Sequence, residues 1–167
     1  NLQGDAPLTP PWFIEALIQY MKQNPSCEYA TPAVKIEKAQ YADILDSKKV
    51  NPFSGTFVTF SKDGKALYFS KQIIPALRTI PDDSLPLYKH IGIYAYRAAS
   101  LERYNQLPES VLESVEGLEQ LRLLENGYTM QVVCVDFKGR SSWAVDAPED
   151  LKIVEEIIER EGELVLA

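Results

Sequence analysis

The sequence holds a single histidine, set in the run Tyr88-Lys89-His90-Ile91-Gly92-Ile93-Tyr94-Ala95-Tyr96. If that run is a strand, alternation sends Ile91, Ile93 and Ala95 to one face and His90, Gly92, Tyr94 and Tyr96 to the other. The first face reads as core. The second is polar and aromatic, and Gly92 leaves room there for a ligand to approach the backbone. The same pattern also describes a half-buried strand whose His and Tyr tips meet solvent. Asp5 and Asp146 form a second constellation, each following an expected strand and preceding an expected helix. Ligands of open α/β sheets gather at the carboxyl ends of strands. Two carboxylates in that position, completed by phosphate oxygens and water, suit Mg²⁺, which is seldom caged by protein alone. Each aspartate also has a purely structural use: Asp5 can close an Asx-type turn with Gly4, and Asp146 with Glu149 has capping-box spacing. Glu119 and Gln120 lie beside the apolar stripe of an expected helix, where Glu119 and Arg122 have the spacing of an i,i+3 surface pair.

Other chemistries find no support. The residues contain no G-x-S-x-G, H-E-x-x-H, P-loop or G-x-G-x-x-G pattern. Cys27 and Cys134 lie far apart in apolar stretches without C-x-x-C spacing, which points to reduced, buried thiols and a reducing cytoplasm rather than a zinc site or a disulfide framework.

The elements that must position these residues follow from periodicity. Phe13, Ile14, Leu17, Ile18 and Met21 predict a helix over 10–24, with Thr9 as N-cap and Pro25 as stop. A strand is expected over 27–36 and a short helix over 37–45. Two β-rich runs, 56–60 and 66–70, flank Asp63-Gly64 and predict a hairpin. Residues 72–86 read as a loop, 88–96 as one strand, and 108–127 as the longest helix, with Val111, Leu112, Val115, Leu118, Leu121 and Leu124 facing the core. Residues 128–135 return as a strand, Lys138-Gly139-Arg140 turns, and Pro148 opens a final helix carrying Leu151, Val154, Ile157 and Ile158. This order predicts an α/β fold with a mixed sheet and helices on both faces.

Composition bounds the function. With 167 residues, 46% hydrophobic and 25% charged, the chain suits one compact domain over 1–167. A formal net charge of −7 argues against broad binding to nucleic acid or to anionic membranes, both of which need clustered Lys and Arg. No apolar run is long enough to span a bilayer. The opening Asn1-Leu2-Gln3-Gly4-Asp5 lacks a methionine and reads as a strand entering a turn, so sequence upstream is expected.

Five segments in order resemble the CMP-Kdo synthetases, or 3-deoxy-manno-octulosonate cytidylyltransferases. They are Leu2-Gln3-Gly4-Asp5-Ala6-Pro7, Ala66-Leu67-Tyr68-Phe69-Ser70-Lys71, His90 through Arg97, Leu118-Glu119-Gln120-Leu121-Arg122, and Val145-Asp146-Ala147-Pro148-Glu149-Asp150-Leu151. The resemblance implies the later part of a nucleotidyltransferase domain, Rossmann-like with a mostly parallel sheet. It implies transfer from CTP to the anomeric hydroxyl of Kdo, an acidic eight-carbon sugar, with release of pyrophosphate, for lipopolysaccharide synthesis. Mg²⁺ would sit on Asp5 and Asp146, and these with His90 would be the catalytic residues. Gln3, Lys71, His90, Tyr94, Glu119 and Gln120 would bind substrate, and the family's habit is a cytoplasmic homodimer. Departures are Lys71 where Arg is common, Ala6 where an acidic residue is frequent, Ala147 where Thr is usual, and no counterpart of the family's N-terminal Arg/Gly/Lys-rich phosphate-binding segment. An amino-substituted Kdo or another acidic sugar is an alternative substrate, and a non-catalytic remnant of the fold is an alternative of another class.

Overall fold

A computed structural model describes residues 1–81, 84–145 and 147–164. The first helix, α1 (Pro11–Gln23), buries Phe13, Leu17 and Met21, as its apolar spacing demands. Its N-cap is Pro10, not Thr9: Pro10 has an extended backbone, and Pro11 fills the first helical position, where a missing N–H costs nothing. Strand β1 (Tyr29–Lys35) follows, almost wholly buried. Helix α2 (Lys38–Val50) runs further than its sequence pattern predicts and starts where the Glu37 N–H donates to Gln40 Oε1 at 2.9 Å.

The hairpin forms as expected from β2 (Phe57–Phe60) and β3 (Ala66–Ser70), with Gly64 at φ 80° in the turn. The run 88–96, by contrast, is not one strand. It divides into β4 (Tyr88–His90) and β5 (Ala95–Tyr96), both antiparallel to β1. Ala33 faces His90 and Ala30 faces Ala95, so only Thr31 and Pro32 lie opposite the four residues 91–94. A tight turn centred on Gly92, in which the Ile93 N–H donates to Ile91 O at 2.7 Å, takes up the excess. Because the excess is two residues, the alternation survives. His90, Tyr94 and Tyr96 remain on the face that carries Tyr29 and Ala33, while Ile91, Ile93 and Ala95 pack with Ala30 on the other.

Helix α3 (Ala98–Gln106) was not legible in the sequence. The long helix expected over 108–127 is in fact two, α4 (Val111–Glu116) and α5 (Leu121–Glu125). Gly117 adopts the left-handed conformation at φ 65° and ends α4 in a Schellman-like cap, with the Gly117 and Leu118 N–H groups both donating to Glu113 O. Val111 and Val115 are consequently exposed rather than core-facing, whereas Leu118, Leu121 and Leu123 are buried. Strand β6 (Gln131–Val135) is parallel to β1, and α6 (Asp150–Glu161) closes the described chain with Val154 and Ile157 buried.

The sheet is mixed, in the order β3-β2-β4-β1-β5, with β6 on the other edge of β1. Antiparallel pairings predominate, and β1 with β6 is the one parallel pair among the described residues, so the mostly parallel balance does not hold. The sheet curls until the start of β3 meets β6, through Val132 N to Gly64 O at 2.8 Å and Ala66 N to Met130 O at 2.9 Å. One face packs Tyr29, Val58, Phe69, Met130 and Val132 against Leu118, Leu121 and Leu123. The opposite face packs Ala30 and Ile93 against α1. Helices therefore cover both faces, as expected. Cys134 is exposed and Cys27 half-buried, contrary to the expectation of buried thiols; the hairpin that covers β6 meets it at Gln131 and does not extend over Cys134. No helix among the described residues is long and apolar enough to cross a membrane.

Candidate functional site

Six residues nominated from the sequence line one cavity of about 410 Å³: Gln3, Lys71, His90, Tyr94, Glu119 and Gln120. They arrive by several separate pieces of local structure. His90 ends β4, and Tyr94 closes the bulged segment that follows it. Lys71 follows β3, where Glu116 at the end of α4 accepts hydrogen bonds from the Ser70 hydroxyl at 2.8 Å and the Lys71 N–H at 2.9 Å. Glu119 and Gln120 occupy the link created when Gly117 stops α4. Gln3 comes from the opening segment, which is anchored by Asn1 O accepting from the Tyr94 N–H at 3.0 Å.

The role expected for Gly92 changes in kind. A Cβ there would come within 2.2 Å of Gln3 Oε1, so the space it leaves is occupied by the Gln3 side chain. Glu119 is not the partner of Arg122. The guanidinium instead binds Glu113 through Nε to Oε2 at 2.7 Å and Nη2 to Oε1 at 2.5 Å, and lies 4.9 Å from the Tyr104 ring centre. This bond holds the Glu113 carboxyl below the usual glutamate range. The Glu119 carboxylate is thereby left to the cavity.

Polarity inside the cavity is controlled by burial. His90 is 7% exposed, and desolvation, with the nearby Lys71 charge second, lowers its pKa to about 3, so the ring is neutral at ordinary pH. Its Nε2 lies 2.7 Å from Thr31 Oγ1, and its ring packs edge-on to Phe69 with centroids 5.0 Å apart. Tyr94, 4% exposed, donates its hydroxyl to Gln120 Oε1 at 3.1 Å, and burial followed by the Glu119 charge raises its pKa. Gln120 is 2% exposed, and its Nε2 is the buried side-chain polar atom left without a partner among the described residues. A buried amide donor in that state costs free energy until a ligand acceptor meets it.

The cavity also involves residues that the sequence reading missed. Lys89 lines it although alternation sends Lys89 to the opposite face, and burial lowers its pKa. Thr31 stands behind His90; a threonine in an apolar strand gives no signal of its own beyond β-propensity.

Asp5 lies apart from this cavity, in an exposed turn. Its carboxylate accepts no hydrogen bond among the described residues, which removes the Asx-turn explanation. Val145 N donates to Asp5 O at 2.8 Å, so the segment leading to residue 146 runs beside Asp5. Asp146 itself lies outside the described residues. Glu149 makes no capping bond, and Asp150 accepts from the Ala147 N–H at 2.8 Å instead. Asp5 alone among the described residues offers an exposed carboxylate oxygen here, a donor of the kind hard divalent cations take. Among the described residues no group of three His, Cys, Asp or Glu side chains converges.

The fold is that of a nucleotidyltransferase. A solved structure of CMP:2-keto-3-deoxy-manno-octonic acid synthetase complexed with CTP superposes with a TM-score of 0.79 at 36% identity, covering 96% of this chain and 61% of that one. Residues 1–136 match the family model described as Cytidylyltransferase, and the chain belongs to that family. It is 48% identical over 165 residues to the 3-deoxy-manno-octulosonate cytidylyltransferase of Maricaulis maris (strain MCS10), covering 99% of this chain and 63% of that protein. It is 39% identical over 155 residues to the 8-amino-3,8-dideoxy-manno-octulosonate cytidylyltransferase of Shewanella loihica, covering 93% of this chain and 58% of that protein. The chain thus spans about three fifths of the length of these relatives.

Proposed function

We propose that this chain provides the sugar-binding part of a cytidylyltransferase that joins CTP to 3-deoxy-manno-octulosonate, releasing pyrophosphate and forming CMP-Kdo for lipopolysaccharide. The observation that carries this reading is the convergence of Gln3, Lys71, His90, Tyr94, Glu119 and Gln120 on one cavity, with the Gln120 amide donor buried and unanswered. The donor set suits a polyhydroxylated acid. Lys71 supplies a cation for a carboxylate, Glu119 accepts from hydroxyls, and the Gln120 amide donates. His90, neutral at working pH, orients a sugar hydroxyl rather than carrying charge.

The reaction asks the protein mainly to hold the sugar oxygen in line with the α-phosphorus of CTP. The cavity walls do this from three directions: Lys71 is fixed through Glu116, His90 through Thr31, and Glu119 and Gln120 through the Gly117 turn. Asp5 and Asp146 would hold Mg²⁺, which when bound neutralises phosphate charge and lowers the pKa of the attacking hydroxyl. A cytoplasmic location and a homodimeric state belong to the same proposal.

A second reading, with an amino-substituted Kdo as the sugar, is supported by the likeness to the Shewanella loihica relative. The test is pyrophosphate release by the product of the gene encoding this chain, with CTP, Mg²⁺ and a panel of Kdo, 8-amino-Kdo and other acidic sugars. Turnover of Kdo above the others supports the first reading, and preference for the amino sugar replaces it with the second. No release with any acidic sugar overturns both.

A further inference from the structure

Three groups of the His90 segment converge on the Thr31 hydroxyl. Oγ1 lies 2.7 Å from His90 Nε2, 2.8 Å from Ile93 O and 3.4 Å from Ile91 O. Thr31 is fully buried, and it is one of the two β1 residues facing the four-residue segment between β4 and β5.

Proton counting decides the arrangement. A hydroxyl has one hydrogen to give and lone pairs to receive, while the two carbonyls can only accept. The Thr31 hydrogen therefore goes to a carbonyl, with Ile93 O the nearer. The contact with His90 can then be made only if the ring donates, so Nε2 carries the hydrogen of the neutral imidazole. Nδ1 is left as a bare acceptor. Thr31 does not line the cavity and His90 does, so the Nε2 edge is turned into the protein, leaving the other edge for the cavity. Nδ1 has no protein partner among the described residues and is not among the sealed, unpartnered atoms.

We infer that Thr31 is a positioning residue: it fixes His90 as the Nε2–H tautomer, presents Nδ1 to the cavity as an acceptor for a substrate hydroxyl, and ties that choice to the shape of the 91–94 segment. Selectivity follows. An Nδ1 acceptor takes a hydroxyl or protonated amine and rejects a carboxylate or carbonyl oxygen, which would meet a lone pair. His90 is thereby assigned to a hydroxyl of the sugar, and the carboxylate is left to Lys71. This consequence rests on the sugar-binding reading; the tautomer does not.

The experiment uses ring-¹⁵N histidine labelling of the chain, in which His90 is the sole histidine, with His90→Gln as the assignment control. Nitrogen shifts and ring couplings at neutral pH are expected to report one tautomer, protonated at Nε2. Thr31→Val, which keeps the branched shape and removes the hydroxyl, is expected to give a mixture of tautomers, and Thr31→Ser to restore the single form. In the turnover assay Thr31→Val is expected to raise the KM for the sugar about tenfold, the worth of one hydrogen bond, with little change for CTP. A wild-type ring protonated at Nδ1 overturns the inference even if the valine variant does not fold. A Thr31→Val spectrum identical to wild type, or a Thr31→Ser spectrum like that of the valine variant, also overturns it. If the spectra behave as expected while no acidic sugar is turned over, the positioning role stands and the sugar reading falls.

Discussion

Arg122 binds Glu113, nine positions back, and not Glu119, three positions back, although the latter spacing is the ordinary one on a helix. The pairing is possible because Gly117 separates α4 from α5 and lets the two short helices fold on each other. Both side chains are largely buried, 10% and 21% exposed, and the contact is two-pronged.

Glu113→Gln is therefore expected to destabilise the chain by about 2 kcal/mol at neutral pH, the scale of a charge-assisted bond whose removal strands a buried charge. Glu113 has its folded pKa depressed, so its contribution is present above the unfolded value of about 4.3 and is lost as pH falls through the folded value. Urea denaturation of wild type and variant at neutral pH and at about pH 3 is the measurement, with the gap between them expected to narrow in acid.

Gly92→Ala places a methyl group on Gln3. The obstructing atom is the end of a flexible side chain and the Gly92 backbone is not left-handed, so the fold is expected to survive with a stability change under about 1 kcal/mol. Gln3 is expected to leave the cavity, raising the KM for the sugar more than that for CTP. Pairing the change with Gln3→Ser relieves the clash, and the double variant should then behave no worse than Gln3→Ser alone. An additive loss would show that the two residues do not meet.

His90 titrates far below its ordinary value. Its folded pKa of about 3 lies under the unfolded 6.5, so its stabilising effect is complete above about pH 6.5 and declines as pH falls from there toward 3. Wild-type melting temperature is expected to drop between about pH 6.5 and 4 more steeply than that of His90→Gln, which has no proton to take up in the unfolded state. The activity profile over the same range should carry no inflection from His90.

Asp5→Asn and Asp146→Asn are each expected to lower turnover by about 100-fold or more, the scale on which loss of one group stabilising transition-state charge acts. Circular dichroism should be unchanged, because the Asp5 carboxylate supports no hydrogen bond of the fold and asparagine remains a good turn residue. Near-normal activity of Asp146→Asn would return that residue to a capping role.

The hairpin was legible because Asp-Gly between two alternating runs has a mechanism behind it, the positive φ now seen at Gly64. Helix α1 was legible from its apolar stripe alone. Residues 111–125 misled because apolar side chains continue in helical register through Gly117, and periodicity carries no record of a single left-handed residue; Val115 and Leu118 look alike in the pattern and differ completely in burial. Cavity residues were nominated by type and by resemblance, but their supports were not. Thr31, Glu116 and Glu113 act through contacts across 45 to 59 positions or across a turn that the pattern hid, and no local spacing encodes such pairs.

The segment between β4 and β5 has a further consequence for how this chain can vary. Four residues stand opposite two, and everything downstream keeps its side because that excess is even. Adding or deleting one residue between Ile91 and Tyr94 would turn Ala95 toward the aromatic core and swing Tyr96 out to α1, while His90 stayed where it is. Length at this position is thus quantised in pairs. Homologues and engineered variants can be sorted in advance: even changes reshape the cavity, and odd ones dismantle the sheet.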